Sequence, residues 1–174
     1  MWTWDIPSPT EAPGYSRDEV VAEITSFYQF LVTLYIPSEA IIYPPPGGWP
    51  EITSQRLSVL GKNDTAIDFI RHLPFISPIY EKGCDLGIYE LWPQTAAVHY
   101  ISERFLNGHN GVGPTFERSV PYDWQTIIPP HVVTLAVPNS GRDGDWAFLD
   151  TEKGTISICD FQLGGSVSLP TSTP

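Results

Sequence analysis

Basic residues are scarce in this chain. Nine Lys and Arg stand against twenty Asp and Glu over 174 residues, a formal net charge of −11 at pH 7. Phosphate neutralisation by Lys and Arg dominates nucleic-acid affinity, and no local basic cluster offsets the acidic balance, so nucleic acid is excluded as a partner class. Cysteine is nearly absent. Cys84 and Cys159 are too few for the disulfide framework of a small secreted domain and cannot alone make a tetrahedral zinc site, so both are expected as reduced, space-filling thiols. No apolar run approaches the ~20 residues that span a bilayer. The first fifteen residues carry acids and three prolines where a secretory leader needs a basic start and an apolar run. A soluble cytoplasmic protein with no membrane partner is expected, and the Asn63-Asp64-Thr65 sequon is then an unused surface turn.

Catalytic signatures are missing too. There is no phosphate loop of the G-x-x-x-x-G-K-[ST] type, no H-E-x-x-H, no G-x-S-x-G and no C-x-x-C. Gly108-His109-Asn110-Gly111-Val112-Gly113 is glycine-rich in the wrong order for a dinucleotide fingerprint, and Asp143 and Asp145 lack the remaining spacing of a calcium loop. His109 and His131 have no ligand-spaced partner. Neither a cofactor nor a metal is expected.

What is present is apolar and aromatic. Hydrophobic residues make 41% of the chain and aromatics 13%, with six Trp. A chain of this length fits one domain, large enough to bury about two thirds of the surface its unfolded form exposes. Ser16-Arg17-Asp18-Glu19 has the form of a capping box. Val20, Ile24, Phe27, Tyr28, Leu31, Leu34 and Tyr35 follow at helical spacing, predicting a broad buried stripe that Pro37 ends. Pro44-Pro45-Pro46-Gly47-Gly48-Trp49-Pro50 reads as a rigid loop, with Trp49 either plugging the core or presented as a contact. Two short helices are predicted next: Thr53 to Leu60, closed by Gly61, and Asp64 to His72, capped by Asn63 or Asp64 and stopped by Pro74.

Strand chemistry takes over after Gly83. Gly87–Trp92 and Thr95–Ile101 flank Pro93-Gln94, His131–Val137 follows two prolines, and a last hairpin turns at Gly154, which needs a positive backbone angle. Residues 107–125 read as a long surface loop. The predicted organisation is an arm over residues 1–15, a single α+β domain over 16–163 with N-terminal helices packed on an antiparallel sheet, and a flexible tail over 164–174.

Two acid–base pairs are candidates for chemistry. A two-residue loop at Pro93-Gln94 pairs Trp92 with Thr95, Glu90 with Ala97 and Ile88 with His99, which puts Glu90 and His99 diagonally on one face, ~7–8 Å apart at the backbone. A carboxylate beside an imidazole in an apolar setting suits general acid–base catalysis, and the same pair also serves as a cross-strand ion pair. Asp68 and His72 lie four apart on one helical face, either as base and orienting acid or as the wet side of an amphipathic helix. Trp49, Trp92 and Trp124 are the candidate binding aromatics, two of them beside proline, although scattered Trp also fills cores.

The segment Asp145-Trp146-Ala147-Phe148-Leu149-Asp150-Thr151-Glu152-Lys153-Gly154-Thr155-Ile156 resembles a C-terminal strand pair of the SUKH superfamily. Typical there are a Gly-Asp, a hydrophobic strand ending in Leu-Asp, a short turn and a Gly-x-Ile/Val strand. The resemblance covers residues 141–161. The Ile127–Val133 run, Trp49-Pro50 and His72-Leu73-Pro74-Phe75-Ile76 are also similar to segments of small uncharacterised filamentous-fungal proteins. The SUKH resemblance implies an α+β protein-binding module, a superfamily that includes toxin-neutralising immunity proteins and regulators of cell-wall synthesis, and it supplies no catalytic residues. Two functions are therefore carried forward. One is an acidic, SUKH-like module that binds a protein partner. The alternative is a small cofactor-independent cyclase, isomerase or hydratase acting on an apolar metabolite.

Overall fold

Ser16 caps a helix. In the computed structural model, which describes residues 14–77, 79–81, 84–87, 89–102, 119–120, 123–139 and 144–159, the Ser16 hydroxyl accepts the Glu19 amide at 3.4 Å and starts α1 (Arg17–Leu34). The backbone bonds of Tyr35 and Ile36 to the Leu31 carbonyl close it just before Pro37. Its buried residues are Ile24, Tyr28 and Leu31, a seam at i, i+4 and i+7. The broad stripe is not buried: Phe27 is 38% exposed, Leu34 59% and Tyr35 51%, and Phe30 joins them at 56%. Val20, Val21 and Val32 pack partly against the core beside the seam, while Phe27, Phe30, Leu34 and Tyr35 keep much of their surface in water.

After a short strand β1 (Ile41–Ile42), the expected helix from Thr53 is reduced to turns and one 3₁₀ turn, Ser58–Leu60, closed by Gly61 at φ 64°. The Thr53 hydroxyl takes the Arg56 amide, and Ile52, Leu57 and Leu60 are all tucked into the core, a compromise between local helix and packing. Helix α2 (Asp64–His72) forms as predicted, with the Asn63 side chain accepting the Ala66 amide at 2.9 Å. Ala66, Ile67, Phe69 and Ile70 bury one face of it.

The strands that follow are β2 (Phe75–Ile76), β3 (Ile79–Glu81), β4 (Cys84–Gly87), β5 (Glu90–Trp92), β6 (Thr95–Ala97), β7 (Ser119–Val120), β8 (Asp123–Ile127), β9 (Val132–Pro138), β10 (Trp146–Asp150) and β11 (Thr155–Cys159). Five of them make the main sheet, in the order β11-β10-β9-β6-β5, and every pairing is antiparallel. Three two-stranded ribbons, β1-β2, β3-β4 and β7-β8, complete the set. The architecture is α+β, with the helices early in the chain and antiparallel sheet after them. The β7-β8 pairing also corrects part of the 107–125 loop. The rest of that loop, His109, the arm before residue 14 and the 164–174 tail lie outside the described residues.

All five residues of β10 are buried, because it is covered on both faces. Ala147 and Leu149 join the main core with α1, α2 and Phe75, while Trp146 and Phe148 belong to a second cluster with Ile128 and Val132. This explains why the strand reads as a nearly continuous apolar run instead of an alternating one. The β10-β11 hairpin closes on Gly154, at φ 68°, where a Cβ would come within 3.3 Å of the Tyr15 backbone. Both the turn and the approach favour glycine.

Candidate functional site

An apolar concavity lies between α1 and the main sheet, with a volume of about 270 Å³. Glu23, Ile24, Phe27 and Tyr28 of α1 form one wall; Leu91 and Trp92 of β5 and Ile156 and Ile158 of β11 form the others. Its floor is small by sequence. Ala97, Ala136, Ala147 and Ile158 stand in one row across the sheet, so two alanines lie where larger residues would fill the space. Two bulges widen the lining. One shifts the β9-β10 register at Leu135 and the other the β5-β6 register at Leu91. A bulge turns two consecutive residues toward one side, and Leu135 with Ala136, and Leu91 with Trp92, all line the groove. Among the described residues its ionisable side chains are Glu23 and Tyr28, and burial pushes the Tyr28 hydroxyl up so that it stays protonated.

Trp92 is held in this wall by its polar edge. Its indole N–H donates to Asp145 Oδ2 at 2.9 Å, and the Asp145 amide donates to the Thr95 hydroxyl at 2.8 Å. Trp49 has the other fate. Its indole N–H donates to the Leu73 carbonyl at 2.8 Å, and its ring lies 5.7 Å from that of Phe75, so it closes the core. Trp124 has its backbone in β8; its side chain is outside the described residues.

The proposed Glu90–His99 pair does not form. The bulge at Leu91 sets Glu90 opposite Ala96 instead of Ala97, and β6 ends at Ala97, with a turn in which the Ser102 amide reaches the His99 carbonyl. Tyr100, fully buried with its hydroxyl bonded to the Thr134 carbonyl, draws the chain out of the strand. Glu90 accepts from the Asn139 side chain at 2.8 Å, and this bond, followed by one from the Gln94 backbone, holds its carboxyl below the ordinary value. His99 lies against Phe75 with ring centroids 5.3 Å apart and neither ring nitrogen bonded. Burial lowers its pKa to about 4. An anchored carboxylate and a neutral, unpartnered imidazole do not make an acid–base pair.

Asp68 and His72 do meet. His72 Nδ1 lies 2.8 Å from the Asp68 carbonyl and 3.5 Å from its carboxylate. A carbonyl can only accept, so in this contact Nδ1 carries a proton and, in the neutral ring, Nε2 is the basic nitrogen. The carboxylate itself is taken by Arg17 of α1 at 2.8 Å. Beside it the buried Tyr15 hydroxyl has no partner, and burial, with the Asp68 charge second, raises it to about 12. This cluster ties the start of α1 to α2, and neither it nor the Glu90–His99 pair lines the groove.

One polar cluster escaped sequence reasoning. His131, 5% exposed, stands 3.9 Å from Asp150 and 3.6 Å from Glu152. Asp150 Oδ1 accepts the Glu152 and Lys153 amides, and Thr151 bonds the His131 carbonyl through both its amide and its hydroxyl. The group clamps the β10-β11 turn to the start of β9. The β9-β10 register, with Asp150 opposite Val132, is the signal that would have placed His131 there. Among the described residues no group of three His, Cys, Asp or Glu side chains is arranged to hold a metal ion, and no helix is long and apolar enough to cross a membrane.

No protein-family model, no curated protein and no solved structure matches this chain.

Proposed function

We propose that the chain is an acidic protein-binding module of SUKH-like type, acting in the cytoplasm, whose α1/β11 groove receives apolar side chains of a partner protein. The observation that carries this is the groove itself. It is open, apolar and floored by alanines, and neither acid–base pair lines it. Its wall residues Phe27, Ile156 and Ile158 are themselves exposed, so its apolar surface faces outward, which is how a contact surface differs from a closed reaction chamber. The cofactor-independent enzyme has less support, because its two best pairs are spent on structure: Glu90 on Asn139 and Asp68 on Arg17.

The test fills the groove. Ala147→Leu adds three carbons to a floor with about 270 Å³ above it, so the fold is expected to hold while binding is lost. A photo-reactive side chain at position 27 reports partners by crosslinking in native extract, and the specific crosslink should vanish in Ala147→Leu. Crosslinks unchanged by the filled groove would refute the assignment. A metabolite screen in which the wild-type chain shows turnover and Glu90→Gln or His99→Ala loses it, with unchanged melting, would establish the enzyme instead.

A further inference from the structure

The two edges of the main sheet are finished differently. At β5 the strand has three residues, a bulge and a carboxylate, and the Tyr35 hydroxyl donates to the Glu90 carbonyl. These are common ways of guarding an edge against pairing. At β11 none is present. Thr155–Cys159 carries no charge and no proline, and it pairs with β10 over five consecutive positions without a bulge. Among the described residues no strand pairs with its other side. In an antiparallel pair, alternate residues direct their backbone groups outward, so β11 presents a row of N–H and C=O groups. Ile156 and Ile158 flank that row at 51% and 62% exposure and also line the groove.

Charge says what kind of segment fits. The chain has a net charge of −11, and besides Asp18, which Arg17 pairs, the exposed acids Glu19 and Glu23 stand on α1, Glu23 on the groove itself, with no Lys or Arg among the described residues of the lining. A second copy would bring the same acidic surface against itself, whereas a basic segment would be drawn in. Resting on the binding-module reading above, we infer that β11 is a docking edge: an extended partner segment with alternating apolar residues, flanked by Lys or Arg, adds as a sixth strand. Main-chain bonds to β11 supply affinity, and every second side chain passes over Ile156 and Ile158 into the groove.

The probe is a synthetic peptide, Lys-Lys-Val-Thr-Val-Thr-Val-Lys-Lys, titrated into the full-length isotope-labelled chain and followed by amide resonances and hydrogen exchange. Binding should slow exchange at the outward-facing amides of β11 by ~10-fold or more. An isomer N-methylated at alternate residues, a Glu-flanked version and the Ile158→Lys variant should each weaken binding by at least ~10-fold. Salt of about 1 M should weaken it too.

Absence of binding by the basic peptide would overturn the inference. So would binding by the N-methylated peptide at equal strength, with shifts at Phe27 and Ala147 but no protection of β11; that result leaves the groove assignment standing and removes strand addition. Undiminished binding and β11 protection in Ala147→Leu would do the reverse. Concentration-dependent dimerisation with protection of β11 in the free protein would give the edge to a second copy. Nuclear Overhauser contacts from residues 160–174 onto Ile158 in the free chain would give it to the chain's own tail. Either result overturns the partner strand.

Discussion

The α2 side and the β11 side of the molecule use similar apolar residues to opposite effect. Around α2, Phe69, Ile70 and Phe75 are at most 1% exposed, because the Pro-rich loop folds over the helix end. The Trp49 amide bonds the Arg71 carbonyl, and Gly48 sits so close that a Cβ would lie 2.5 Å from the Arg71 side chain. Around β11 there is no such cover among the described residues, and isoleucines of the same kind stay half or more in water. Two Trp-Pro dipeptides mark the two sides. Trp49 is turned inward by a carbonyl acceptor at Leu73, and Trp92 is held at the rim by Asp145. Apolar content sets how much surface wants burial; an adjacent loop or partner decides whether it gets it.

If the α2 side is the stability core, Phe69→Ala should be the most damaging single change, at about 3–5 kcal/mol from lost transfer energy and cavity together. Denaturant titration measures it, and a loss under about 1 kcal/mol would erase the distinction between the two sides.

Acid should strike the same side next. His99, packed on Phe75, has its pKa lowered from 6.5 to about 4 by burial, so the unfolded chain binds a proton that the folded chain resists. The contribution is complete above about pH 6.5 and is lost progressively as pH falls toward about 4, about 3 kcal/mol in all. His99→Gln should lack this component, and stability curves that fall in parallel for both chains would show that His99 is not its source.

Trp49→Phe keeps the ring contact with Phe75 but removes the indole donor to the Leu73 carbonyl. About 1 kcal/mol should go, the scale of a hydrogen bond with its acceptor left behind; an unchanged midpoint would place Trp49 with the rim residues instead.

On the β11 side, Ile158→Thr should change stability by less than about 0.5 kcal/mol, since little of its surface leaves water on folding. A drop comparable to that of Phe69→Ala would mean that the strand is covered, and the contrast would fail.

Local signals in the sequence determined the elements. Ser16 and Asn63 as caps, Pro37 and Pro74 as stops and Gly154 as the hairpin hinge each act within a few residues, so α1, α2, the last hairpin and the α+β class were legible. The candidate site was much less so. A two-residue loop predicts a register only if the strands are regular, and the bulge at Leu91 moved Glu90 away from its intended partner. The meeting of His131 with Asp150, the capture of Asp68 by Arg17 and the row Ala97, Ala136, Ala147 and Ile158 all depend on strand pairing and helix docking across long stretches of chain. A sequence displays which residues can pair; only the tertiary fold, by fixing register and cover, decides which do, and so left two alanines at the floor of an open apolar groove and two isoleucines of an uncharged edge strand exposed beside it.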